Sequence, residues 1–266
     1  MTVVKAPSAT HANVNLLWTG GWDSTFQLLR LLMAHRRSVT PFYLMDPTRP
    51  STRIEIQTME CIRERLVRDD PHAGQLLAPS QISSVADLAP DTEVTRIFQG
   101  TLKEKFMGNQ YDWLARFCKQ RGIDDMELCI HRDDKAHAVI ESFVIEHVDE
   151  DGYRTYRFDP AHGATREFAL FGRFSFPLFD LSKLQMAQVA AEHGWKDIME
   201  MTWFCHRPGK DQRPCGRCNP CLYTIEEGLG WRIPMGRRII SVFYRIFALP
   251  LKAPAKALRK RLAGSS

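Results

Sequence analysis

Val14-Asn15-Leu16-Leu17-Trp18-Thr19-Gly20-Gly21-Trp22-Asp23-Ser24-Thr25-Phe26 decides the fold of this chain. It reads as a short buried strand, a turn of small and hydroxyl residues, and the first turn of an apolar helix that continues to Leu32. Gly20 and Gly21 let the backbone approach a ligand with no β-carbon in the way. Ser24 and Thr25 offer hydroxyls, and the amides of a helix start attract an anion. Asp23 would repel a phosphate unless a divalent cation lay between them. The stretch therefore reads as a phosphate cradle that works with magnesium. The bland alternative is a strand–turn–helix whose small residues only cap the helix. The lysine of a P-loop and the third glycine of a dinucleotide fingerprint are both missing.

Outward from this loop, Ser38 to Met45 reads as a second buried strand ending on Asp46, and Pro41 puts its start near Phe42. Two strands joined by a helix form a right-handed βαβ unit and hence a parallel sheet. Ligands of such sheets sit beyond the carboxyl ends of the strands, where Thr19–Ser24 and Asp46 fall. Arg53 to Val67 has helical apolar spacing; Arg49 and Arg53 are placed either to meet a nucleotide or to remain solvated. A third strand is expected near Leu76 to Ile82, no clear period runs from Asp87 to Lys105, and Gly108 to Gly122 holds an amphipathic helix. Met126 to Ile130 is a strand candidate. His131-Arg132-Asp133-Asp134-Lys135 behind it reads first as a solvated loop with a helix cap, and second as a substrate or metal contact. Asp149-Glu150-Asp151-Gly152 joins two short strands as a hairpin that decorates the parallel sheet. Phe174 to Phe179 is a further apolar strand, and the helix Leu184 to His193 stops at Gly194. Lys183 begins that helix against its dipole, a local cost that a phosphate would offset.

A chain of 266 residues suits one large α/β domain with an appendage. The first 13 residues hold no long apolar run, and the best apolar segment, Ile239 to Leu251, is broken by Arg245 and Pro250. Neither a secretory signal nor a membrane span is expected, so a cytoplasmic location is. Seven cysteines in such a chain argue for reduced thiols or metal ligands. Cys205, Cys215, Cys218 and Cys221 crowd together as Cys-x9-Cys-x2-Cys-x2-Cys, with Gly216 in the tight turn. Four thiolates at that spacing match a structural Zn2+ site; an iron–sulfur cluster is the rival, and a metal-free loop the bland reading. A closed four-sulfur site has no open position, so its expected role is to brace the loop.

The glycine loop resembles the Ser-Gly-Gly-x-Asp-Ser loop of the ATP pyrophosphatases, with Thr19 in place of the first serine. Together with Phe176-Pro177-Leu178-Phe179-Asp180-Leu181-Ser182-Lys183 and the four-cysteine stretch, it is similar to the 7-cyano-7-deazaguanine synthase family. Asp46 followed by Arg53-Ile54-Glu55 fits the same pattern. The resemblance implies a Rossmann-like parallel sheet of about five strands with helices on both faces, an expected doubly wound core. It implies ATP-dependent activation of a carboxylate for attack by ammonia, with pyrophosphate release. The residues implied at ATP are Trp18, Thr19, Gly20, Gly21, Trp22, Asp23, Ser24, Thr25 and Asp46. Asp23 would hold Mg2+, and Asp23, Ser24 and Lys183 would serve catalysis. The Pro-x-Arg-Asn and Gly-Tyr-Pro-Asp-Cys stretches of the family, which hold its deazaguanine, are changed here to Phe106-Met107-Gly108-Asn109 and Ile130–Lys135. An altered carboxylate substrate, small or macromolecule-borne, is therefore expected. The alternatives are a sulfur-transferring tRNA-modifying enzyme of the same superfamily and a non-catalytic nucleotide-binding or interaction module.

From Arg232 to the end there are nine Lys/Arg and no Asp/Glu, so a basic tail carries the net charge of +5 and the rest is net −4. Its apolar and basic residues suit a final helix packed on the domain, or contact with a membrane surface, nucleic acid or a protein partner. The expected organisation is an extension over residues 1–12, an ATP-binding domain over 13–200, a zinc knot over 201–230 and the tail over 231–266; a homodimer is an expectation as well.

Overall fold

Strands β1 (Val14–Leu17), β2 (Val39–Met45), β3 (Gln81–Ser84), β4 (Met126–Glu127), β5 (Val144–Val148), β6 (Arg154–Phe158) and β7 (Phe174–Ser175) join in one sheet, ordered β3-β2-β1-β4-β7-β6-β5. The computed structural model describes residues 13–248; the expected N-terminal extension and the end of the basic tail lie outside them. Five strands, β3, β2, β1, β4 and β7, run parallel. The hairpin of β5 and β6 adds antiparallel to β7 at one edge, so the sheet is mixed.

The chain winds from β1 outward through β2 to β3, then returns to place β4 on the other side of β1. The direction of winding thus reverses between β1 and β4. In an open α/β sheet this reversal opens a crevice at the carboxyl ends of the two strands, where ligands bind.

Helices α1 (Trp22–Leu29), α2 (Thr52–Asp69), α3 (Pro71–Leu76), α4 (Thr92–Glu104), α5 (Gln110–Arg121), α6 (His137–Ile140), α7 (Arg166–Phe171), α8 (Lys183–Glu192) and α9 (Lys196–Met201) complete this part. They form two packed groups, α1, α2, α3, α8 and α9 in one and α4, α5 and α7 in the other, and cover both faces. Alternation along β1 serves the two layers: Leu17 joins Phe98, Leu114 and Phe171 in one core, while fully buried Leu16 points to the other face.

Three local expectations needed revision. β2 begins at Val39 and runs through Pro41. Ser38 and Phe42 turn their carbonyls to β1 while Val39 turns its own to Ala78, so odd residues of β2 face the β3 side. Pairing with β3 starts only at Phe42, and the N–H that Pro41 lacks is not needed. Helix α4 fills a region without visible period, because of its residues only Val94, Phe98 and the polar Thr101 are fully buried. Asp91 starts it by accepting from the Val94 amide at 3.0 Å. β4 and β7 are only two residues long, since the chain leaves the sheet directly after Glu127 and Ser175.

Two compact units divide the chain, Met1–Trp203 and Phe204–Ser266. The second holds α10 (Asn219–Glu226), α11 (Met235–Phe243) and a π-helical turn over Tyr244–Ala248. No helix among the described residues is long and apolar enough to cross a membrane.

Candidate functional site

The loop Trp18–Gly21 links β1 to α1 at the winding reversal. Gly20 adopts φ +67°, and a β-carbon there would meet Met59 Cγ at 3.1 Å, Thr58 Cγ2 at 3.2 Å and the Glu55 carbonyl at 3.3 Å. Both the left-handed backbone and the close approach of α2 therefore require glycine. The Gly20 carbonyl accepts from the Trp203 amide at 2.9 Å, which ties the loop from its other side. Gly21 is the N-cap of α1 and no side chain caps that helix, so its first turn presents amides to whatever lies at its mouth.

The side chains of the loop divide by direction. Trp18 and Thr25 are buried beneath it, where the indole N–H donates to the Thr25 hydroxyl at 3.0 Å. Thr25, expected at a phosphate, thus spends its hydroxyl inside the fold. Trp22 is also buried. Thr19 is exposed; its amide donates to Ser24 Oγ at 3.3 Å, and its own hydroxyl receives the Gly21 amide at 3.3 Å. Asp46 accepts from the Thr48 amide and hydroxyl at 2.9 and 2.7 Å, a turn closing its own loop after β2.

Asp23 is where separate parts of the chain converge. Its Oδ2 lies 3.6 Å from Lys183 Nζ and 3.7 Å from His131 Nε2. Asp23 follows β1, His131 follows β4 and Lys183 follows β7, three strands adjacent in the parallel sheet. His131 is 2% exposed and departs from the solvated loop expected, whereas Arg132, Asp133 and Lys135 behind it are exposed. Its Nδ1 accepts from the Asp133 amide at 3.2 Å, which puts the ring proton on Nε2, toward Asp23. Asp133 Oδ2 in turn accepts from the Lys183 amide at 3.1 Å, so a carboxylate meets the start of α8 and offsets the dipole cost of a lysine there. Asp134 accepts from the Ala136 amide at 2.8 Å, a turn within the loop, and the expected helix cap is absent: Ala136 is the N-cap of α6, with no side chain capping it. Position at the end of a central strand was the signal that could have singled out His131.

Asp23 Oδ1 is buried and has no hydrogen-bond partner among the described residues. A carboxylate oxygen in that state is costly unless a cation or water meets it. The residue thus fits the magnesium role expected for it.

A second polar group is sealed under α1. Gln27 Nε2 donates to Glu127 Oε2 at 2.8 Å and to the Tyr153 hydroxyl at 2.5 Å, and that hydroxyl donates to Glu127 Oε1 at 2.5 Å. Arg30 donates to Gln27 Oε1 and to the Pro177 carbonyl, both at 3.1 Å. Burial outweighs these bonds and pushes the Glu127 carboxyl up to about 7.

In the second unit, the sulfurs of Cys205, Cys215, Cys218 and Cys221 all lie within 4.8 Å of one another. Three of the separations are 3.4, 3.8 and 3.9 Å. A tetrahedron of sulfurs about 2.3 Å from one ion has edges of about 3.8 Å. The amides of Arg217 and Cys218 donate to Cys215 Sγ at 3.4 and 3.3 Å, and that of Cys215 donates to Cys205 Sγ at 3.2 Å. Such bonds fix the orientation of the sulfurs toward a common centre. Gly216 makes the knuckle possible: it adopts φ +72°, and a β-carbon would lie 2.5 Å from the Arg237 carbonyl.

An α/β sheet with a glycine loop at its winding reversal, together with a four-cysteine centre that can hold a metal, defines the class of protein. Within it, residues 166–228 match the family model described as "Queuosine biosynthesis protein QueC". The match includes Lys183 and all four cysteines, and the chain is similar to the PP-loop ATP pyrophosphatases of the QueC type. Among solved structures, the U34-tRNA thiolase NcsA from Methanococcus maripaludis with its [4Fe-4S] cluster aligns with 89% of this chain and 72% of its own, at 13% identity and a TM-score of 0.42. That superposition is too loose to carry an argument. No curated protein matches the chain.

Proposed function

We propose that the chain is an ATP-dependent carbon–nitrogen ligase that adenylates a carboxylate and passes the acyl group to ammonia. The observation that carries this reading is the meeting of Lys183 and His131 on Asp23 beside the uncapped start of α1. Cationic, hydrogen-donating and carboxylate groups then share one crevice with backbone amides, the set a leaving pyrophosphate requires. The QueC match over Lys183 and the cysteines supports the same reading.

In this reaction a substrate carboxylate oxygen attacks the α-phosphorus of ATP, the bond to the β-phosphate breaks, and pyrophosphate departs. Ammonia adds through its lone pair to the acyl carbon, AMP leaves, a proton is lost, and an amide remains. The substrate itself is the nucleophile, so the protein's task is to hold and neutralise charge. The first-turn amides of α1, with Ser24 and Thr19 at their mouth, receive the phosphates. Lys183 balances charge that builds on the leaving group. Asp23 would hold a magnesium ion, which supplies further neutralisation of the pyrophosphate. His131 orients Asp23. The four cysteines would hold zinc as a brace. Their sulfurs sit at the spacing of a single tetrahedral ion, whereas a cubane cluster interposes its own irons and sulfides and spreads its ligands wider.

Pyrophosphate release from ATP, measured with ammonium over a panel of carboxylic acids that includes 7-carboxy-7-deazaguanine, tests the proposal. Release that depends on one acid and yields its amide or nitrile is expected. ATP binding without turnover on any acid would replace it with a binding-module reading.

A further inference from the structure

α11 and the turn that follows it are folded with their apolar side outward. Met235, Ile239, Val242, Phe243 and Ile246 recur at the spacing of one helical face, and each is more than half exposed. Phe247, 63% exposed, stacks beside Phe243 with ring centroids 6.2 Å apart and widens the stripe. The opposite arc is turned inward and is polar: Ser241 is 1% exposed, and Arg237 lies 3.6 Å from Asp211 within the same unit. α11 thus packs on its own unit through this polar arc and leaves its apolar face outward. Six large apolar side chains in a row on the surface form a patch of the kind that marks an interaction site.

Charge selects the occupant. Arg245 at the border of the stripe is paired with Glu226 at 2.8 Å. The sequence beyond then adds Lys252, Lys256, Arg259, Lys260 and Arg261 with no acidic residue. A second copy would bring the same cationic sequence, which holds no acidic residue to balance it. A nucleic acid would match the charge but leave Ile239, Val242 and Phe243 in water. An anionic bilayer satisfies both, since acyl chains take the stripe and headgroups take the lysines and arginines. We infer that α11 and the turn over Tyr244–Ala248 form an in-plane anchor that docks the protein on an anionic lipid surface. The segment is too short to span a bilayer, so it lies on the membrane.

Co-sedimentation of the full chain with vesicles of phosphatidylcholine alone, and of phosphatidylcholine with phosphatidylglycerol, tests this directly. Binding to the mixed vesicles and not to the neutral ones is expected, weakened by salt. Phe243→Glu combined with Ile246→Glu should lower the partition coefficient at least roughly tenfold, whereas Phe243→Leu should retain it. These side chains are exposed, so circular dichroism of the variants should match the parent. Failure of the parent to bind mixed vesicles at low salt overturns the inference. So does binding that the double variant leaves intact, and so does a concentration-dependent dimer, without vesicle binding, that the double variant dissolves.

Discussion

Lys183 Nζ lies 3.6 Å from Asp23 Oδ2, joining the first residue of α8 to the first turn of α1 across 160 positions of sequence. The pair is partly shielded, with side-chain exposures of 14% and 26%, so water damps its attraction less than at an open surface. The lysine's position is set by its helix. Ser182 and Gln185 form a capping box at its start, with Gln185 Oε1 accepting from the Ser182 amide at 2.8 Å.

This arrangement makes Asp23 and Lys183 the most sensitive positions of the proposed reaction. Asp23→Ala and Lys183→Ala should each lower kcat for pyrophosphate release by roughly 100-fold or more, the scale of losing one group that stabilises developing charge. Lys183→Arg should recover only part of the loss. Steady-state release assays with circular dichroism of each variant check this; unchanged kcat in either alanine variant would remove the residue from the mechanism.

His131 should act through Asp23. His131→Ala should reduce kcat roughly 10- to 100-fold, as expected when an orienting partner is lost. His131→Gln should restore much of it, because its amide N–H can take the place of Nε2–H. Equal losses in the two variants would point to packing alone.

The Glu127 carboxyl titrates near 4.5 when unfolded and about 7 when folded. The folded state keeps its proton while the unfolded state loses it, so stability falls as pH rises from about 4.5 to about 7 and then levels off. The contribution is about 3 kcal/mol across that window. Thermal melts at pH 5 and pH 8 should show a smaller difference for Glu127→Gln than for the parent. A parallel pH dependence in both would show that the buried carboxyl titrates elsewhere.

Metal analysis should return one zinc per chain and a colourless protein. Cys218→Ser, or a strong chelator, should release the ion and unfold the segment around it, since binding such an ion contributes several kcal/mol or more to folding. Proteolysis of the region 205–221 with and without chelator reads this out. Iron and acid-labile sulfide in the preparation would instead favour the cluster reading.

Much of the fold was legible locally. The short apolar run, the glycine pair and the helical run after it mark β1, the loop and α1 within 19 residues, Val14 to Leu32. The acidic turn at Asp149–Gly152 marked the hairpin, and cysteine spacing marked a metal-competent cluster. Pro41 misled, because the edge to which an N–H points depends on pairing with β3. α4 was hidden because its buried stripe is only three residues wide. The first reading of His131–Lys135 as a solvated loop failed at His131, where burial follows from neighbouring strands and not from composition.

The sequence alone determined the features that depend on a few neighbouring residues: strand–loop–helix at the amino end, the helix after Lys183 with its stop at Gly194, the tight turn at Gly216. Their backbone conformations are set within one or two turns of chain. Tertiary structure decided which of these local pieces meet. Strand order placed the ends of β1, β4 and β7 side by side and brought His131 and Lys183 to Asp23, and packing turned the apolar stripe of α11 outward. Such outcomes rest on contacts between distant segments and on which face finds a partner, quantities that periodicity along the chain does not encode.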